Sequence, residues 1–214
     1  VVYLERTPNI SSTFLRKKQF KIVRIGIVGT GRIAPRFISE SKYVSGLTIE
    51  CAYNPVEESA KRFEKREKIK CYTGDYEEFL ENVDAVYIAS PNETHFEYAK
   101  KAIEAGKHVL SEKPLSFTKK ESEVLYTSAK EKGVVLMEAV KAAYCPGFQQ
   151  LINVAKSGKI GDIVDVEASF TRLADPLSRE RTDAEYGGAF LEFGPSVLVP
   201  VIKLMGKDYT SATF

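Results

Sequence analysis

Six residues constrain this chain more than any others: Gly29-Thr30-Gly31-Arg32-Ile33-Ala34. They follow the β-branched run Ile22-Val23-Arg24-Ile25-Gly26-Ile27-Val28 and open a stretch of helical character from Arg32 to Lys42. Such a run suits a strand covered on both sheet faces. A glycine turn between the two therefore reads as the first βα unit of a parallel sheet. Each residue type has a physical reason. Gly29 permits the tight turn, and Gly31 lets the backbone approach a pyrophosphate. Ala34 is small enough for close helix–strand packing, and the helix N-terminus offers unpaired N–H groups to phosphate. Glycine turns also arise for packing alone, so the motif points to a dinucleotide only through its setting.

That setting is a sustained alternation. Leu47–Tyr53 reads as a second strand, Val56–Arg66 as a charged helix, Lys70–Tyr72 as a third strand and Tyr76–Leu80 as a short helix. Asp84–Ala89 is a fourth strand, ended by Ser90-Pro91-Asn92. The next helix carries Phe96, Ala99, Ala102 and Ile103 on one face and stops at Gly106. His108–Ser111 is a fifth strand, and Val134–Met137 a sixth. Between them, Thr118-Lys119-Lys120-Glu121 has capping-box spacing and opens a helix that runs to Gly133. This order predicts right-handed crossovers and an α/β, doubly wound parallel sheet over residues 21–139.

The rhythm changes after Ala139. A helix over Phe148–Lys156 leads to the alternating run Ile163–Leu173, read as a long strand with one wetter face. A polar loop, Asp175–Tyr186, a helix from Ala189 to about Leu204 and a further strand from Tyr209 to Phe214 complete the pattern. These elements predict an incomplete α+β domain over residues 140–214. So little sheet could hardly bury both its faces, which implies a C-terminally truncated chain. Residues 1–20, basic near Arg16–Lys18, are expected to form a weakly ordered extension.

Composition excludes several classes. With 43% hydrophobic residues the 214-residue chain has material for a core and is not a disordered segment. A net charge of +2 gives no case for a nucleic-acid partner. The longest uncharged apolar stretch, Phe193–Ile202, falls short of the roughly 18 residues of a membrane span. Glu5, Arg6 and Pro8 interrupt any signal-peptide core. Cys51, Cys71 and Cys145 are odd in number and in no CxxC pair, arguing against a disulfide framework and for a reducing, cytoplasmic setting. His95 and His108 are the only histidines, so no histidine metal cluster is expected.

At the end of the second strand, where a carboxylate would hold an adenosine ribose, the chain has Asn54. A neutral amide neither repels a 2′-phosphate nor matches an acid's grip on the ribose, so NAD and NADP both stay open. Lys61 and Arg62 read as a solvated helix face.

Four stretches together resemble one family: Gly29–Ala34, Ala85–His95, Ala105–Pro114 (Ala-Gly-Lys-His-Val-Leu-Ser-Glu-Lys-Pro) and Gly187–Gly194. From about Lys21 to the last residue the chain resembles the Gfo/Idh/MocA family of NAD(P)-dependent sugar, inositol and diol oxidoreductases. The resemblance implies an N-terminal Rossmann domain followed by a substrate domain built on a large, mostly antiparallel sheet. It also implies hydride transfer between nicotinamide and a CH–OH group of a sugar, polyol, inositol or cyclic diol, and a homo-oligomer. A cofactor-binding protein without catalysis is the alternative.

By the same resemblance Lys113 is the acid/base and Glu112 approaches the nicotinamide ribose. Gly29, Thr30, Gly31, Arg32, Ile33, Asn54, Ser90, Pro91, Asn92 and His95 hold the cofactor, although Asn92 also suits a turn or helix cap. A free lysine is a poor base; partial burial beside the positive nicotinamide would make it a better one. After its glycine pair the family commonly shows an aspartate, a glycine two residues on, then a catalytic histidine or tyrosine after two more. Here those positions hold Glu192, Gly194 and Ser196. Glu192 can keep an acidic hydrogen-bonding role, whereas Ser196 cannot replace an imidazole or phenol. Tyr144 is a candidate substitute. Arg172, with Arg179 and Arg181, either lines a polyol or anion site or belongs to a solvated loop.

Overall fold

The computed structural model describes residues 22–173 and 175–213, apart from the side chains of Arg179 and Glu180. The basic extension over residues 1–20 and the last residue of the expected final strand lie outside the described residues. Six parallel strands form one sheet in the order β3-β2-β1-β4-β5-β6. They are β1 (Val23–Val28), β2 (Leu47–Tyr53), β3 (Cys71–Thr73), β4 (Ala85–Ile88), β5 (His108–Ser111) and β6 (Leu136–Glu138). The helices between them are α1 (Ala34–Ser41), α2 (Glu57–Glu67), α3 (Tyr76–Glu81), α4 (His95–Glu104) and α5 (Lys119–Lys132). All six strands and five helices expected up to residue 139 are present, with ends displaced by a residue or two.

Strand alternation sorts the core into two layers. Ile27, Ala52, Tyr87 and Ala89 face α1 and α2, where they meet Ala34, Ile38 and Phe63. Val28, Cys51, Tyr53, Val86, Ile88 and Val109 face the other side, against Phe79 of α3, Ala99 and Ile103 of α4, and Leu125 of α5. Gly26 lies directly under the Phe79 ring, in space that a Cβ would occupy. Thr118 caps α5 through the Glu121 amide while Glu121 returns to the Thr118 backbone, the capping box expected from the spacing.

Two expectations are corrected. Cys51 and Cys71 are register partners in β2 and β3, joined by a disulfide with Cα atoms 4.6 Å apart. Scattered spacing says nothing about which strands a topology places side by side. Beyond residue 140 the helices α6 (Pro146–Lys156), α7 (Arg179–Thr182) and α8 (Ala189–Met205) form, but no strand does among the described residues. Residues 161–173 and 209–213 are irregular. An alternating pattern becomes a strand only where another strand supplies its backbone partners, and none does so here among the described residues.

Candidate active site

Reversal of strand order between β1 and β4 opens a crevice at their carboxyl ends, the usual ligand position in an open α/β sheet. The glycine turn forms one wall. Gly29 has φ +91°, and a Cβ there would stand 2.8 Å from the Ala89 carbonyl oxygen and the Ser90 backbone. No other residue type fits without displacing the β4 turn. A Cβ at Gly31 would meet nothing within 4 Å, so the backbone there faces open space. Ala34 is fully buried at the start of α1, and Arg32 is exposed. A backbone cradle that is open at Gly31 and closed behind Gly29 fits a dinucleotide pyrophosphate.

Asn54 joins this wall to the end of β2. Its Nδ2 donates to Thr30 Oγ1 at 2.9 Å, and its Oδ1 accepts from the Val56 amide at 2.9 Å. The site thus has a neutral, already engaged amide where a ribose-binding acid would stand. On the opposite wall, Thr94 Oγ1 lies 2.7 Å from both Ser90 Oγ and the Pro91 carbonyl oxygen. Asn92 Nδ2 donates to the Tyr186 carbonyl at 3.4 Å. His95 is 1% exposed, with Nδ1 2.7 Å from the Pro114 carbonyl oxygen and Nε2 2.9 Å from that of Ser90. Neither ring nitrogen is left for a ligand.

Lys113 follows β5, and its peptide bond to Pro114 is cis. Its Nζ donates to the Glu192 carbonyl at 2.8 Å and pairs with Glu192 Oε2 at 2.8 Å. Both side chains are 19% exposed. The two residues stand 79 positions apart in sequence, yet the fold makes them one ion pair at the rim of the crevice. Ser196 lies one helical turn further along α8 and is half-buried. Arg172 is exposed, with its guanidinium 5.5 Å from the Phe193 ring centroid.

Glu112 is engaged by Tyr87 instead of Lys113. Its Oε1 accepts a 2.6 Å hydrogen bond from the Tyr87 hydroxyl, and Tyr87 stacks on Phe37 at 3.8 Å. Burial, and then the Glu112 charge, push the Tyr87 hydroxyl far above its ordinary value, so it remains a donor. A cavity of about 500 Å³ beside this pair brings Ile33, Glu112 and Tyr144 together with Tyr87, Leu110 and Met137. Tyr144 is exposed at its mouth.

Sequence reasoning did not single out Tyr87, Tyr186 or Glu138, whose Oε1 accepts from the Leu115 amide at 2.9 Å. Tyr87 carried one signal: a buried tyrosine needs a partner for its hydroxyl. Tyr186 and Glu138 carried none: the Tyr186 carbonyl meets the Asn92 side chain and the Glu138 carboxylate meets the Leu115 amide, partners far along the chain.

The family of oxidoreductases with an NAD-binding Rossmann fold, Gfo/Idh/MocA, matches residues 23–140. Scyllo-inositol 2-dehydrogenase (NADP(+)) of Bacillus subtilis is 31% identical over 195 residues, covering 86% of this chain and 59% of that protein. A dTDP-3,4-didehydro-2,6-dideoxy-alpha-D-glucose 3-reductase of Actinomadura kijaniata is 34% identical over 191 residues, covering 87% of this chain and 57% of that one. The crystal structure of the Actinomadura kijaniata 3-ketoreductase KijD10 with NADP and TDP-benzene superposes with a TM-score of 0.78 at 32% identity, covering 86% of this chain and 57% of that one. The chain thus spans somewhat over half the length of these relatives. Among the described residues, no helix is long and apolar enough to cross a membrane.

Proposed function

Because the chain belongs to the Gfo/Idh/MocA family of NAD-binding Rossmann oxidoreductases, we propose that it serves an NAD(P)-dependent dehydrogenase or reductase acting on a CH–OH group of a sugar, polyol, inositol or cyclic diol. The relatives named above act on an inositol and on a nucleotide-linked keto-sugar. The single observation that carries the proposal is the Lys113–Glu192 pair, an amine held at the end of β5 beside the glycine-turn crevice.

In this reading Gly29, Gly31 and the start of α1 receive the pyrophosphate, and Thr30 with Asn54 borders the adenosine ribose. Ser90, Pro91 and Asn92 line the far wall. Glu112, aimed by Tyr87, hydrogen-bonds the nicotinamide ribose. A nicotinamide held there would supply or accept the hydride. Lys113 Nζ hydrogen-bonds the reacting oxygen and moves its proton, while the Glu192 carboxylate holds the ammonium and orients the substrate hydroxyl. Fixing these groups before reaction is worth about 7–11 kcal/mol in well-oriented systems. Asn54, in place of an acid, excludes neither NAD nor NADP.

The proposal extends to a homo-oligomer and a cytoplasmic site of action. One observation favours a second reading. Ser196 offers no titrating group where the family commonly has one, which suits a cofactor-binding protein without catalysis.

Fluorescence titration with NADH and NADPH, followed by turnover assays over inositols, nucleotide-sugars and diols, separates the two. Turnover that falls by about 10²–10⁴ in Lys113→Ala with cofactor affinity retained supports the enzyme. Binding without turnover on any substrate supports the second reading, and absence of binding overturns both.

A further inference from the structure

Lys113 sits in a connection that neither sheet nor helix supports. Its own ladder ends at Glu112, whose amide donates to the Ile88 carbonyl at 2.8 Å, and α5 does not begin until Lys119. A lysine on such a stretch would ordinarily wander, since its backbone and four side-chain torsions are all free. Two side chains from distant elements grip the backbone immediately after it. His95, the first residue of α4, has Nδ1 2.7 Å from the Pro114 carbonyl oxygen. Glu138, the last residue of β6, accepts the Leu115 amide at 2.9 Å. Successive backbone groups are thus held from two directions, and Pro114 and Leu115 are both buried.

His95 has a second tie. Its Nε2 lies 2.9 Å from the Ser90 carbonyl oxygen, and the Ser90 backbone is what a Cβ on Gly29 would strike. One buried ring therefore links the glycine-turn wall to the loop that bears Lys113. Both ring nitrogens face backbone carbonyls; a neutral imidazole gives its single N–H to one of them while the buried ring stays packed against the other. His108 differs: its Nδ1 accepts from the Val135 amide at 2.9 Å.

We infer that His95 and Glu138 are positioning residues that fix the Lys113 ammonium relative to the cofactor crevice, His95 by tying the Pro114 carbonyl to Ser90 and Glu138 by holding the Leu115 amide. This rests on the reading of Lys113 as the acid/base, and it assigns both residues a role away from the reacting atoms. Displacing a reacting group by about 1 Å can cost roughly 100-fold in rate, so loss of either anchor is felt in kcat.

Glu138 gives the cleaner test, because Gln at that position keeps an oxygen for the Leu115 amide and Ala does not. In Glu138→Ala, kcat is expected to fall by about 10–100-fold with NADPH affinity unchanged, and Glu138→Gln to recover most of it. Hydrogen exchange at the Leu115 amide is expected to speed up at least about tenfold in Glu138→Ala, with Tyr87 and Val109 amides unaffected. Acetylation of Lys113, followed by mass spectrometry, is expected to rise in the same variant. His95→Ala is expected to weaken NADPH binding as well, since it also releases Ser90. Should that variant not fold, the Glu138 pair decides the matter.

Unchanged Leu115 exchange and Lys113 reactivity in Glu138→Ala would overturn the inference. So would equal losses of kcat in Ala and Gln, or a loss confined to cofactor affinity. If the unsubstituted protein turns over no substrate, the functional reading falls, while exchange and acetylation still judge the anchors.

Discussion

Residues 23–140 and 141–213 obey the same chemistry with different outcomes. In the first region every strand has a hydrogen-bonded neighbour and helices cover the core, so Phe79, Ile27, Ile88 and Leu125 are fully buried. In the second, only Ile152 and Gly194 are buried among the described residues, while Val164 is 86% and Leu173 100% exposed. Apolar patterning prepares a segment to be buried; only neighbours bury it. Contacts between the two regions include Lys113 with Glu192, Asn92 and Phe117 with Tyr186, and Glu40 with Lys141. The proposed chemistry lies at the first of these.

The largest expected effect tests that contrast directly. Phe79→Ala, at 0% exposure under Gly26, should cost about 3–5 kcal/mol in urea denaturation, because transfer and cavity terms add. Leu198→Ala on α8, at 42% exposure, should stay within about 0.5 kcal/mol. Equal losses would mean that the second region is as tightly packed as the first, and the comparison would fail.

A pair of glycines sharpens it. Gly29 and Gly188 both have positive φ, +91° and +102°. Replacing either by Ala forces a strained backbone at a cost of about 1–3 kcal/mol. Gly29 alone has backbone within 2.8 Å of the added Cβ, whereas Gly188 has nothing within 4 Å. Gly29→Ala should therefore displace the Ser90 turn and lower NADPH affinity more than about tenfold, which Gly188→Ala should not. Fluorescence titration measures both. A Gly29→Ala variant with unchanged affinity would detach the cradle from the cofactor.

The same contrast explains what could be read from sequence. Every element from β1 to β6 was legible, because Val23–Val28 and its successors carry local signals: β-branched runs, glycine stops and a Thr118–Glu121 capping box. The Gly29–Ala34 cradle was legible for the same reason. The disulfide was not, since pairing Cys51 with Cys71 depends on strand order. The alternation over Ile163–Leu173 has the pattern of a strand, yet no described strand pairs with it. In the site, Lys113 and Glu192 were each named, but motif spacing could not show that they form one ion pair. His95 was expected against the cofactor; its ring instead spans two carbonyls, a geometry set by tertiary contacts alone.

Helix caps offer a smaller contrast. Thr118 accepts the Glu121 amide at the start of α5, so Thr118→Ala should cost about 1 kcal/mol. Cys145 occupies the corresponding place at α6, in extended conformation with no side-chain cap bond. Cys145→Ser should therefore add up to about 1 kcal/mol. Thermal melts read both. A destabilising Cys145→Ser would show that the thiol makes contacts worth more than a cap.

The smallest effect concerns the bridge between the regions at Glu40 and Lys141. Lys141 Nζ lies 2.8 Å from Glu40 Oε2, and Arg36 Nε lies 2.9 Å from Glu40 Oε1. The Lys141 hydrogen bond first, then that from Arg36, holds the Glu40 carboxyl below its ordinary value of 4.5, with burial opposing. A carboxyl depressed on folding contributes stability that is present above its unfolded value and lost as pH falls through the folded one. The difference in melting temperature between the unsubstituted protein and Lys141→Ala should thus be small and constant above pH 4.5, and shrink below it. Both side chains are about half exposed or more, so 1 M salt at neutral pH should also remove most of it. A difference that survives both acid and salt would mean that Lys141 joins the regions through the packing of its stem, and that the boundary near residue 140 is a buried seam instead of a screened surface bridge.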